Sequence, residues 1–283
     1  MTAAIRAELR RLTRWPALWV ICGTWVLLNL TFGYVFNYLS YQSEGGGGFS
    51  AGGTKAQLLA DMMPDRSPVI LVQGMPMFGG ALLMILGALA VGSGYGWGTW
   101  KTVFTTGPRR WTALGGTLVG IGLVIAALVA VTMAADLGAA LIVSTVENVP
   151  VAWPTVSGLA QGLGSALLIG GMWTAAGALL GTLTRGPALS VGLGLVWALV
   201  VENLLRGVAS LLGPVKAVTD WLPGTAAGSL AGAIGAAPQG EANGTPGVQT
   251  ILGGGPATTL LLAYVAAFLV ASLLLTSRRD VVS

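Results

Sequence analysis

Six runs of apolar residues, each near the roughly 20 that an α-helix needs to cross a bilayer, divide this chain from end to end. They fall at about 16–39, 69–92, 112–135, 157–181, 188–210 and 256–276. In hydrocarbon every backbone N–H and C=O must find its partner within the protein, so runs of this length specify helices. The expected fold is all-α: a polytopic membrane protein with six transmembrane helices in a single transmembrane domain, residues 1–283. Composition removes the soluble alternative. Of 283 residues, 54% are hydrophobic and 8% charged, against about 25% charged in a soluble domain.

The segment before the first run carries Ile5, Leu9 and Leu12 at helical spacing, with Arg6, Arg10, Arg11 and Arg14 on the other side. That pattern suits a helix over residues 2–14 lying in the membrane interface, its arginines on anionic lipid. The alternative is a basic leader that only sets topology. Trp15-Pro16 would separate it from the first span. That span is too long for a signal peptide, and no small-residue cleavage site follows it. Basic residues then decide orientation. One side holds Arg6, Arg10, Arg11, Arg14, Lys101, Arg109, Arg110, Arg185, Arg278 and Arg279; the other holds Lys55, Arg66, Arg206 and Lys216. Ten against four places both termini in the cytoplasm.

The outer connections differ in kind. Residues 40–68 contain Gly45–Gly48 and Gly52-Gly53, a flexible stretch, and 136–156 reads as a loop of moderate length. Trp221-Leu222-Pro223-Gly224 leads into the small, apolar stretch Thr225–Ala237, too short to span and so re-entrant or interfacial. Residues 238–247 read as an ordinary loop. Gly116/Gly120, Gly158/Gly162 and Gly177/Gly181 have the spacing that lets helices approach closely. With 44 glycines in the chain they point to tight packing rather than to a particular interface. Glycines 92, 94, 96 and 98 alternate strictly and read as a hinge.

Few chemistries remain open. No phosphate-binding G-x-x-x-x-G-K-[ST] segment occurs, and no G-x-G-x-x-G stands between strand and helix. The chain has no histidine and one cysteine, Cys22, so neither a disulfide framework nor a thiolate metal site is expected. No catalytic dyad is evident, and no enzyme activity or metal site is expected of this chain. The basic charge follows membrane topology rather than nucleic-acid binding. Glu202 and Arg206 stand at i, i+4 in the fifth run, an intramembrane polar pair that either fixes the helix or lines a path. Asp136 reads as interfacial, and Asn29, Gln161 and Asn203 as hydrogen-bonders between helices. Trp15, Trp19, Tyr38, Tyr41, Trp97, Trp100, Trp111, Trp153 and Trp221 read as interface anchors.

One polar interval, 93–111, carries charge at its middle and its end. Thr99–Phe104 is long enough for about two helical turns, which Gly107-Pro108 would stop. The order of parts resembles the type-2 ABC exporter permeases, the membrane subunits that lack their own ATPase. In that family an interfacial helix leads into six spans, and a cytoplasmic coupling helix between the second and third docks on a separate ATP-binding subunit. Gly98-Thr99-Trp100-Lys101-Thr102-Val103-Phe104 followed by Gly107-Pro108-Arg109-Arg110 looks like that segment. Trp221-Leu222-Pro223 with 225–237 is similar to the family's short helices before the last span. The acidic residue that members often carry ahead of the Gly-Thr is replaced here by Gly94, Tyr95 and Gly96.

The resemblance implies a coupling helix over about 98–106, with Val103 and Phe104 as apolar contacts, Lys101 as a charged one, and Arg109 and Arg110 on headgroups or the partner. It also implies a separate ABC ATPase holding ATP and Mg, a second copy of the chain or a related permease, and surrounding membrane lipids. The expected setting is a bacterial cytoplasmic membrane, and the expected activity ATP-driven export of an amphipathic or lipid-like substrate. Two other classes stay open: an ion-coupled secondary transporter using Glu202, and a membrane scaffold that transports nothing.

Overall fold

All six apolar runs are helices, and no strand occurs among the described residues. The computed structural model describes residues 2–43, 54–106, 109–209, 212–241 and 243–278, with the side chains of Phe104 and Thr106 excepted. Gly45–Gly48, Gly52-Gly53, Gly107-Pro108 and Arg279 lie outside that set, as does the side chain of Phe104.

Helix α1 (Thr2–Thr13) ends before Pro16, whose fixed φ suits the first position of the next helix. The first span, α2 (Pro16–Gln42), contains a wide π turn at Thr31–Val35. Short α3 (Lys55–Asp61) starts at a Thr54–Gln57 capping box. Helix α4 (Ser67–Gln73) ends at Gly74, and α5 (Met75–Gly96) continues the second span. Pro76 has no N–H to give to Val72, and the chain recovers through a wide bond from Gly79 N to Gly74 O, 3.0 Å. Next come α6 (Thr99–Thr106), α7 (Arg110–Val146), α8 (Val156–Thr184) and α9 (Pro187–Ala209), the last with a π turn at Val196–Val201. Helices α10 (Gly213–Thr219) and α11 (Pro223–Ala233) precede the final span, α12 (Gly254–Arg278).

Two expectations are corrected. The third span does not stop near residue 135, because α7 runs for 37 residues to Val146. At 1.5 Å per residue that is about 55 Å, well beyond a hydrocarbon core of about 30 Å. Most of the loop expected at 136–156 is therefore helix, and Asp136 is buried inside it rather than at an interface. The alternating glycines are not a hinge. Gly92 and Gly96 face the Gly186-Pro187 turn and Gly94 faces the Trp100 indole, all within a continuous helix. Only Gly98, at φ +66°, turns the chain, in a left-handed conformation that side chains disfavour.

The centre of the bundle is the contact between α5 and α8. A methyl group on Gly181 would stand 2.9 Å from both Ala88 O and Gly92 N, and one on Gly177 would stand 2.8 Å from Ala88 N. Gly87 meets the α8 backbone at Thr174 and Ala178 in the same way. The Gly177/Gly181 spacing thus has a defined partner, and Gly116/Gly120 has another, receiving Ala4, Glu8 and Leu12 of α1. Around this centre the outer spans turn large apolar side chains outward, among them Leu27, Val131, Val200 and Leu262, each more than half exposed. Such a belt suits lipid.

Gly177→Val is expected to lower the thermal midpoint sharply, overpacking of this kind costing about 1–3 kcal/mol or more. Gly122→Val, where nothing lies within 4 Å, should leave it nearly unchanged. Heating followed by size-exclusion chromatography would read both, and equal losses would sink this account of the centre.

Candidate functional site

Basic residues gather at one end of the bundle. Helix α1 packs on the start of α7, and Arg11 reaches α5, its Nη2 donating to Ala90 O at 2.9 Å while it pairs with Glu8. Arg6, Arg10 and Arg14 remain exposed. The turn carrying Arg185 lies against the last turns of α5, and Leu273, near the end of α12, packs into the cluster formed by Val91, Trp100 and Leu114. Helix α6 is thus surrounded by the ends of several spans.

Trp100 is not an exposed anchor. Its ring is 6% exposed, and its Nε1–H donates to Val91 O at 3.1 Å. Tyr95 packs beside it with ring centroids 6.0 Å apart, and Gly94 leaves the space the indole occupies. Val103 is half-buried against the same cluster. Helix α6 is consequently fixed to α5 by its apolar side, leaving Thr99, Lys101, Thr102 and Thr105 outward. Arg109 is exposed, and Arg110, half-buried, opens α7. Gly98 supplies the turn between α5 and α6.

The Glu202–Arg206 pair lies elsewhere, towards the other end of α9. Arg206 Nη2 stands 3.1 Å from Glu202 Oε2. The π turn adds a residue to the preceding coil and brings Trp197 onto the same side, where its Nε1–H donates to Glu202 Oε1 at 2.9 Å. The backbone N–H of Gly224, at the start of α11, donates to the same oxygen at 3.3 Å. The carboxylate is fully enclosed and held by a guanidinium, an indole and the positive end of a helix. A methyl group on Gly224 would collide with it. Helix α11 is no loosely placed interfacial piece: Pro223 through Ala231 are buried, and Ser229 Oγ accepts from Leu252 N at 3.2 Å. Asn203 bonds along its own helix, to Leu199 O at 3.0 Å, instead of to a neighbour.

A third feature has no local signature in the sequence. Between α2, the junction of α4 with α5, and residues 235–246 lies a cleft of about 930 Å³. Trp25, Phe32, Phe36 and Phe78 supply aromatic walls, and Asn29, Asn37 and Gln73 supply amides. The π turns at 31–35 and 75–79 border it, and Gly74 and Gly79 leave room for the Trp25 ring. Arg66 and Asp61 face each other across its rim at 3.6 Å. Backbone bonds tie the two sides of this edge together, Thr245 N to Ala237 O at 3.0 Å and Gln239 N to Val248 O at 3.1 Å. Behind the wall, Asn29 Nδ2 donates to Asp136 Oδ1 at 2.7 Å, so Asn29 does bridge two helices. Asp136 is wholly buried, and its Oδ2 has no partner among the described residues.

Removing one member of the buried pair should cost more than removing both. Arg206→Met is expected to destabilise by about 3–5 kcal/mol by leaving a carboxylate uncompensated, and the double variant Glu202→Gln/Arg206→Met should recover most of that. Thermal midpoints in detergent would decide, a double variant no better than the single one counting against the pairing.

Comparison of the sequence with models of known protein families returns no match, and comparison with curated proteins returns none either.

Proposed function

We propose that this chain is the membrane subunit of an ATP-driven ABC exporter, docking a separate ATPase through α6 and working as a dimer with a second permease. The observation that carries the reading is the way α6 is built. It is a two-turn helix between the second and third spans, bolted by Trp100 to α5 and offering Thr99, Lys101, Thr102 and Thr105 outward. A push on such a helix passes directly into α5, and from α5 into α8 through their glycine contact. Charge supports the orientation: α1, α6, Arg109 and Arg185 share one end, which on this reading is the cytoplasmic end of a bacterial inner membrane. ATP and Mg would belong to the partner. Export of an amphipathic substrate is the direction favoured by the resemblance of the α6 segment to exporter permeases.

Purification of the tagged chain from its host in mild detergent should retain an ATP-binding protein in stoichiometric amount. Lys101→Glu combined with Thr105→Arg should release it while the chain stays monodisperse. A lone membrane protein with no associated ATPase activity would overturn the reading. Trp100→Phe should keep the partner bound but lower substrate-stimulated ATP hydrolysis roughly three- to tenfold, the scale of one hydrogen bond's net contribution.

One observation favours a second reading, an ion-coupled carrier. Asp136 is a buried intramembrane carboxylate joined through Asn29 to the wall of the cleft. Glu202, already held by three donors, suits that role less well. Uptake into ATP-free vesicles that is driven by a proton or sodium gradient and lost in Asp136→Asn would select this reading.

A further inference from the structure

The chemistry of the cleft narrows what it can hold. Its volume, about 930 Å³, lies in the range of small-molecule sites, about 300–1,000 Å³. Four aromatic rings line it, and the negative face of such a ring attracts a cation. The ionisable residues at its rim are two carboxylates, Asp61 and Glu241, and one guanidinium, Arg66. Arg66 is directed at Asp61, whereas Glu241 is exposed and makes no ion pair among the described residues. Backbone bonds hold Glu241 in position, from its own N to Pro238 O at 3.2 Å and from Gly244 N to its O at 2.9 Å. With Asp61 and Arg66 offsetting each other, Glu241 is the unbalanced charge of the rim, and the net sign there is negative.

We propose that the cleft is a binding site for an amphipathic cation, an apolar or aromatic body seated among Trp25, Phe32, Phe36 and Phe78 with its positive charge towards Glu241. The amides of Asn29, Asn37 and Gln73 tolerate a polar head without adding charge. An anion of the same shape meets the same walls but an opposing rim. This binding does not rest on the permease reading; under that reading the cation is the cargo.

Tetraphenylphosphonium and tetraphenylborate, nearly identical in shape and opposite in charge, test the claim. The whole chain is placed in nanodiscs of uncharged lipid, with no ATPase and no nucleotide, and each ion is measured by equilibrium dialysis against empty discs. Saturable binding of the phosphonium at one per chain is expected, at least about tenfold tighter than any protein-dependent binding of the borate. Glu241→Lys, in an exposed segment, should weaken the phosphonium about tenfold and leave the borate equal or tighter. Phe78→Ala should weaken both ions. Uptake no greater than in empty discs would overturn the proposal. So would borate binding as tight as phosphonium, or phosphonium binding indifferent to Glu241→Lys. Because the ATPase is absent throughout, loss of the docking reading would leave this result standing, and the reverse.

Discussion

Everything in this fold is positioned from the backbone contact between α5 and α8. Lipid tails are as apolar as leucine, so helices in a bilayer gain little from burying hydrocarbon against each other and must associate through close packing. Gly87, Gly177 and Gly181 provide it by letting main-chain atoms of the two spans meet directly. That contact holds the second and fourth spans at the middle of the bundle, the most enclosed of the six, while α9 and α12 remain peripheral. The ends of the central pair then position the polar features. At one end α5 presents Val91 O to the Trp100 indole and Ala90 O to Arg11. At the other, its π turn forms part of the cleft wall.

The two ends differ in physical character. The basic end is assembled from helix termini tied by single hydrogen bonds to backbone carbonyls, with exposed threonine and lysine between them. The other half carries the sequestered carboxyl groups: Glu202, enclosed with three donors; Asp136, buried with Asn29; and half-buried Glu147, which accepts from both Tyr38 at 2.9 Å and Tyr41 at 2.8 Å. Carboxylates in low dielectric persist where donors are aimed at them. Helix α11 serves Glu202 in this way, which explains why so short an apolar helix is buried rather than spanning.

The spans were legible because a run of about 20 apolar residues in a bilayer has one solution, and the observed helices lie within a few residues of the runs in five of six cases. The exception is instructive. A lone carboxylate near the end of an apolar run reads as interfacial, and nothing local in the sequence announces that Asn29, more than a hundred residues earlier, will meet Asp136. Trp100 is similar: a tryptophan beside a span is an anchor unless a glycine opposite, here Gly94, makes room for it. The glycines at 92, 94 and 96 could be counted in the sequence, but what each one accommodates depends on a neighbour brought there by the fold. The cleft was invisible altogether, because its walls come from residues between 25 and 246 and no single stretch carries its pattern.

The wide turn at Thr31–Val35 holds one more residue than an ordinary helical turn would. That residue is slack, and an α-helix that took it up would rotate everything beyond it by about 100°. Phe36 and Asn37 would then leave the cleft wall while the span stayed helical and nearly the same length. The rotation is opposed at the far end of α2, where Tyr38, Tyr41 and Gln42 converge on Glu147 at the end of α7. The first span is therefore a helix wound one residue loose and clamped at its tip, and the shape of the cleft is set by how firmly that clamp holds.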